Sequence, residues 1–203
     1  MTTQASGAHY ERRNALDLHG GAPIRITKAF EALAMEVYSG EVPNDLKFMV
    51  FTVASVAAGC QHCQAHGAYF LSGMGQEIPR IHALWDFEWS DLFAEKEKAA
   101  LRLARDAAQV PNAVTPDHFV ALRQHWSDEE ITELLAVVAL GGFLNRWNDT
   151  MAVVTDQASV DWASANLAAV GWGLGKHAGA SEEQRRPDAI NARIDGLGDS
   201  SAG

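Results

Sequence analysis

Two cysteines and a histidine at three-residue spacing, within Cys60-Gln61-His62-Cys63-Gln64-Ala65-His66, are the residues of this chain best suited to chemistry. They are its only cysteines. Two thiols at this spacing can close a small disulfide, and an imidazole nearby can move the protons that thiol chemistry needs. At about 100° per residue, positions 60, 63 and 66 form one stripe along a helix. If Cys60 opens that helix, free backbone N–H groups and the positive dipole end favour its thiolate. His66, one turn on, is placed to accept or return a proton. With a peroxide, one sulfur takes the oxygen as sulfenic acid, and the second thiol displaces it as water. The resulting disulfide needs an external dithiol to reduce it.

Other readings of the same residues compete. A structural zinc site takes about four ligands; Cys60, Cys63, His62 and His66 would have to converge from one and a half helical turns, and His62 is expected to point away from the face of Cys63 and His66. A thioredoxin-type site follows a β-strand, which the helical surroundings oppose. Two buried cysteines acting as small hydrophobes remain the bland reading, weakened by a histidine on the same face.

The elements that must position this stripe read as helices from end to end. Gly40 stops a helix that Thr27 caps, with Phe30, Leu33, Ala34 and Val37 along one face. Pro43-Asn44-Asp45 opens a second, buried nearly all round. After Gly59 a third runs from Cys60 to about Leu71. Pro79 starts a short piece through Trp85, and Ser90 is expected to cap an amphipathic helix with Glu95–Lys98 facing out. Thr115-Pro116 is a cap followed by proline at the first helical position. Ser127-Asp128-Glu129-Glu130 is a capping box that launches an apolar helix to about Val154. Gly141-Gly142 within it implies close backbone packing or a kink, since each glycine costs about 1 kcal/mol relative to alanine. Beyond Gly171 the chain looks irregular. The organisation expected is an extension over 1–24, an all-α domain over 25–175 and a polar tail over 176–203.

Composition narrows the partners. The 203 residues suit one domain with its own core, with 47% hydrophobic and 21% charged residues. A net charge of −10 opposes binding to nucleic acid or anionic membrane. No apolar run reaches the ~18 residues of a membrane span, and Met1–Gly7 lacks the pattern of a signal peptide. A cytoplasmic protein is expected, a compartment in which a cysteine pair is more often catalytic or metal-binding than a staple.

Gly59–His66, led by the apolar helix Leu46–Ala58, together with Ser127-Asp128-Glu129-Glu130-Ile131 and Asn145-Arg146-Trp147-Asn148-Asp149-Thr150, resembles the alkylhydroperoxidase D-like, carboxymuconolactone decarboxylase superfamily over roughly residues 25–175. The resemblance implies an all-α, alkylhydroperoxidase D-like helical bundle that assembles as a homo-oligomer. It also implies a peroxidase-type oxidoreductase without a bound cofactor, taking a small-molecule hydroperoxide and regenerated by a dithiol protein or a lipoyl group. Cys63 would become the sulfenic acid, Cys60 the proton donor and resolving thiol, His66 the relay histidine, and His62 a secondary polar contact. Two positions depart from the family pattern. The histidine follows the second cysteine by three residues rather than four, and Phe48 stands where the peroxidases carry a glutamate. Glu36, Glu41, Asp45 and Asp149 are candidate substitutes for that carboxylate.

Asn145 and Asp149 either join the cysteine helix as part of the relay or belong to a structural cluster in which Arg146 pairs with Asp149 across a turn. His82, His118 and His125, with Trp85, Trp89 and Trp126, read as packing or surface residues. The alternatives to a peroxidase are a decarboxylase-like enzyme acting on a small organic acid through His66, and a redox sensor or metal-binding module without catalysis.

Overall fold

The computed structural model describes residues 25–178. The expected extension 1–24 and all of the tail after Ala178 lie outside the described residues. The described chain contains no strand, and its α-helices are α1 (Arg25–Tyr38), α2 (Asn44–Ala58), α3 (Gln61–Gly73), α4 (Ile78–His82), α5 (Glu95–Ala107), α6 (Pro116–Leu122), α7 (Asp128–Met151) and α8 (Gln157–Asn166). Short 3₁₀ segments follow α4 (Ala83–Trp89) and α8 (Ala168–Val170, Gly175–Ala178). The all-helical bundle inferred from the sequence is what the structure shows.

The two most apolar helices form the centre. α2 starts directly after Pro43, whose fixed φ suits a helix entry, and packs against α3, α5 and α7. Its Met49, Val50, Val53 and Ala54 are almost fully buried. α7 begins with the capping box: Ser127 Oγ accepts the Glu130 N–H at 3.1 Å, and Glu130 Oε2 accepts the Ser127 N–H at 2.7 Å. One charged pair sits within this packing. Lys47, fully buried on α2, meets Glu133 of α7 at 2.9 Å. The same carboxylate accepts the N–H groups of Glu41 and Val42, so it also pins the α1–α2 connection.

Several local expectations are corrected. Thr27 lies inside α1 and is buried rather than capping it. Ser90 does not cap α5; its Oγ accepts the Leu92 N–H, and the helix opens at Glu95 with Ala94 at the N-cap. Glu97 makes this tolerable by accepting the Ala94 N–H at 2.8 Å. The glycine pair in α7 divides. A Cβ on Gly141 would meet the Phe51 ring at 3.1 Å, whereas one on Gly142 would meet nothing within 4 Å. α7 runs unbroken through both. α8, capped by Asp156 Oδ1 accepting the Ser159 N–H at 3.0 Å, has no counterpart in the sequence reading.

A tighter approach occurs where α3 crosses α2. A Cβ on Gly67 would stand 2.3 Å from Thr52 Oγ1, and that hydroxyl is already donated to the Phe48 carbonyl at 2.7 Å. Gly67→Ala is therefore expected to destabilise by about 1–3 kcal/mol through overpacking, despite alanine's better helix propensity. Gly142→Ala is expected to stabilise by up to about 1 kcal/mol. Urea-unfolding midpoints of the two variants check this; equal midpoints would contradict the packing argument.

Candidate functional site

The cysteine pair sits at the α2–α3 corner. Gly59 ends α2 in the left-handed region, at φ 76°, and the chain turns at once into α3. Cys60 is not the first helical residue but the N-cap: its backbone is extended and its sulfur accepts the Cys63 N–H at 3.4 Å. The sulfurs of Cys60 and Cys63 are hydrogen-bonded at 2.9 Å, and both thiols are free and buried.

The two thiols are electrostatically unequal. The hydrogen bond from Cys63 brings Cys60 down to about 5 against the penalty of burial, with help from His177 and from the Cys63 N–H. That same hydrogen bond to Cys60, then burial, pushes Cys63 far above the ordinary thiol range, although Asn148 opposes this. Once one of the two has ionised the pair shares a single proton, and His177 and the Cys63 N–H favour Cys60 as the sulfur that carries the charge. Asn148 Nδ2 approaches the Cys63 sulfur at 3.3 Å.

Cys63 forms part of the wall of a cavity of about 480 Å³ between α1, α2, α3, α7 and α8; Cys60 does not line it. Much of the remaining wall is aromatic. Phe48 stacks on Tyr38, with ring centroids 5.0 Å apart, and lies 5.3 Å from Phe70. His62 and His66 line the cavity beside Cys63, their rings 4.3 Å apart. The expectation that His62 points away is corrected: residues four apart on a helix share a face. Burial lowers His62 to about 2, and its Nδ1 lies 3.0 Å from Thr155 Oγ1, so it is a neutral ring.

His66 has a different environment. Its Nδ1–H is donated to the His62 carbonyl at 2.9 Å, and its Nε2 faces Asp156 Oδ2 at 2.5 Å. Both partners accept hydrogen bonds, so a second proton lies between the ring and Asp156. The bond to His66, with that to the Ser159 N–H, holds Asp156 well below the usual carboxylate range despite partial burial. The carboxylate that meets the cavity histidine is thus none of Glu36, Glu41, Asp45 and Asp149; it is Asp156, the N-cap of α8.

The two accessory candidates on α7 divide. Asn145 is buried, its side-chain amide makes no hydrogen bond, and it lines a separate cleft beside α5. Asp149 pairs with Lys176 at 2.7 Å and lies 3.6 Å from His177 Nε2. The polar tail expected from residue 176 begins against this site, with His177 fully buried. Among the described residues no group of three or more His, Cys, Asp or Glu side chains is arranged to hold a metal ion, and no helix is long and apolar enough to cross a membrane.

Sequence reasoning missed Asn148, Asp156 and His177. Asn148 was within the quoted Asn145–Thr150 segment, one turn from the residue singled out. Asp156 carried a weak signal as an aspartate three residues before Ser159, a capping spacing. His177 carried none.

Helical packing around a buried Cys-x-x-Cys corner defines the class of protein. No family model matches the chain. Among solved structures it is similar to the debrominase Bmp8, 30% identical, with a TM-score of 0.65 over 71% of this chain and 76% of that one. A cysteine-to-alanine variant of Bmp8 in complex with 2,3,4-tribromopyrrole is 29% identical at the same TM-score. Two further structures share the fold. One is an AhpD-type protein of unknown function from Agrobacterium tumefaciens, at 24% identity and TM-score 0.59 over 62% of this chain and 87% of that one. The other is the alkylhydroperoxidase AhpD core of a peroxidase-related protein from Ralstonia eutropha, at 22% and 0.56 over 62% and 67%. The chain has the fold of the alkylhydroperoxidase D-like proteins.

Asp156→Asn keeps an oxygen for the Ser159 N–H and removes the charge facing His66. A carboxylate depressed in the folded state adds stability that is present above its unfolded value, near pH 4, and lost as pH falls through the folded value. The variant should therefore be less stable than wild type at pH 7, and the gap should close progressively below about pH 4. Denaturant titrations at pH 7 and pH 3 measure it; a gap of equal size at both would contradict the assignment.

Proposed function

We propose that the protein is a dithiol oxidoreductase that passes two electrons from Cys60 and Cys63 to a small apolar hydroperoxide held in the aromatic cavity. The observation that carries this reading is the sulfur pair itself: two thiols 2.9 Å apart, sharing one proton, with Cys63 alone opening onto the cavity. A cavity of about 480 Å³ is of the size that encloses small organic ligands. Its aromatic wall favours the organic part of such a molecule over water.

In the proposed cycle the Cys63 proton moves across to Cys60, and the Cys63 thiolate attacks the terminal peroxide oxygen. An S–O bond forms, the O–O bond breaks, and the alkoxide leaves with the proton shared by His66 and Asp156. Cys63 is then a sulfenic acid. Cys60 attacks that sulfur, the S–S bond forms, and hydroxide leaves as water with the Cys60 proton. A dithiol protein or a lipoyl group supplies two electrons and two protons; one proton returns to the sulfur pair and the other recharges the His66–Asp156 pair. Each turnover releases one alcohol and one water.

A second reading is favoured by the likeness to Bmp8, whose name is that of a debrominase and whose cysteine-to-alanine variant is in complex with 2,3,4-tribromopyrrole. In it the Cys63 thiolate takes halogen from an aromatic ring, the ring carbon receives the His66–Asp156 proton, and Cys60 displaces halide as the disulfide closes. Phe48, at the position where the peroxidases of the family carry a glutamate, adds to an aromatic wall suited to a flat ring.

Thiol titration and intact mass separate the two. One equivalent of cumene hydroperoxide should convert two thiols to none with a mass loss of about 2 Da, the two hydrogens of a dithiol–disulfide conversion. Cys60→Ser should stop at the sulfenic acid, and Cys63→Ser should not react. Unchanged thiol titre with the hydroperoxide, but disulfide and bromide with 2,3,4-tribromopyrrole, would replace the first reading by the second.

A further inference from the structure

The buried face of the sulfur pair, on the far side from the cavity, is closed by residues that no role above uses. Trp172 donates its indole N–H to the Gln61 carbonyl at 3.0 Å and so fastens the chain after α8 to the first turn of α3. Gly175 then passes close to the Gln61 side chain in the left-handed region, at φ 54°. The next turn delivers His177, fully buried, behind Cys60. Its Nδ1–H is donated to the Val153 carbonyl at 2.8 Å, and its carbonyl accepts the Thr155 N–H at 3.3 Å. The ring is therefore fixed in place and in proton position at Nδ1. Its Nε2 is buried and has no hydrogen-bond partner of good geometry.

The groups around that nitrogen decide its state. Cys60, at the start of α3, is the sulfur of the pair that its surroundings favour as the thiolate. Asp149 of α7 places Oδ1 3.6 Å from Nε2, while Lys176 holds its other oxygen at 2.7 Å. The His62 ring, 5.6 Å away, is neutral, and the His66–Asp156 pair lies beyond it. A bare Nε2 lone pair facing two anions would be a buried acceptor with no donor. A protonated Nε2 faces two negative groups instead. Burial works against the charged ring, but the nearby Cys60 sulfur, the bond to the Val153 carbonyl and the charge of Asp149 outweigh it and raise His177 above its ordinary value.

We propose that His177 is the charge partner of Cys60, an imidazolium behind the sulfur pair that favours Cys60 as the thiolate and so leaves it unprotonated, free to take the Cys63 proton. This rests on the reading of Cys60 and Cys63 as a redox pair, and extends it. Cys63 faces substrate, yet it cannot attack until its proton leaves, and the nearest base is Cys60. Closing the disulfide removes the anion that His177 balances, so the imidazolium should lose its proton on oxidation and regain it on reduction.

The test reads protonation and needs no turnover. Absorbance of the reduced protein at 240 nm should show one thiolate step with a midpoint near pH 5. In His177→Gln that midpoint should rise by at least one pH unit, a tenfold loss of thiolate below it. An unmoved midpoint in a folded variant overturns the proposal. Because a change at a buried residue can compromise folding, ¹⁵N-histidine NMR of Cys60→Ser supplies an independent arm. At pH 7 the His177 signals should be imidazolium in the reduced wild type and neutral in Cys60→Ser; the same state in both overturns it. The hydroperoxide titration can fail while these signals behave as expected, and the reverse, so the two conclusions fall separately.

Discussion

Cys60 at the N-cap of α3 is the constraint on which the site depends. Serine, threonine, aspartate and asparagine are the usual residues there, because a side-chain oxygen accepts the exposed N–H groups of the first turn. Here a sulfur accepts the Cys63 N–H, so one side chain both starts the helix and forms half of the thiol pair. The position leaves little freedom. Cys63 follows three residues later on the same face, its sulfur meets Cys60 at 2.9 Å, and the left-handed Gly59 sets the turn that brings α3 back along α2. The close crossing at Gly67 continues the same approach one turn beyond Cys63. Helix geometry therefore holds the sulfurs within reach of each other.

Around that corner the protein keeps protons on two sides and apolar surface on a third. His66 and Asp156 share one beside Cys63 in the cavity wall, and His177 stands behind Cys60 with Asp149. Neutral His62 separates the two pairs and is held by Thr155. Val153, Thr155 and Asp156, which anchor all three histidine environments, lie within four residues between α7 and α8. A single connection thus sets the protonation of both faces of the site. Phe48, Tyr38 and Phe70 line the same cavity and offer no charge.

What was legible in the sequence was local. Pro43, Thr115-Pro116 and the Ser127–Glu130 capping box mark helix starts through interactions spanning three or four residues, and the structure has a helix at each. Ser90 misled because a good capping residue is only a permission; Glu97 supplies the bond from inside the helix and lets Ala94 take the cap. The cysteine stripe was legible for the same reason of short range. The partners of its histidines were not. His66 meets Asp156 across 90 residues of sequence, and nothing in the composition of 155–178 distinguishes a packed strap from a loose tail. α8, with mixed small and polar residues, has too weak a periodicity to announce itself.

Phe48 changes meaning once these distant partners are in view. A glutamate there would place a carboxylate on α2, across the cavity from α8 and within the aromatic stack. Phenylalanine instead completes that stack, and Asp156 brings a carboxylate to the cavity histidine from the opposite end of the domain. Cys63, His66 and Asp156 thus share one cavity with that aromatic stack.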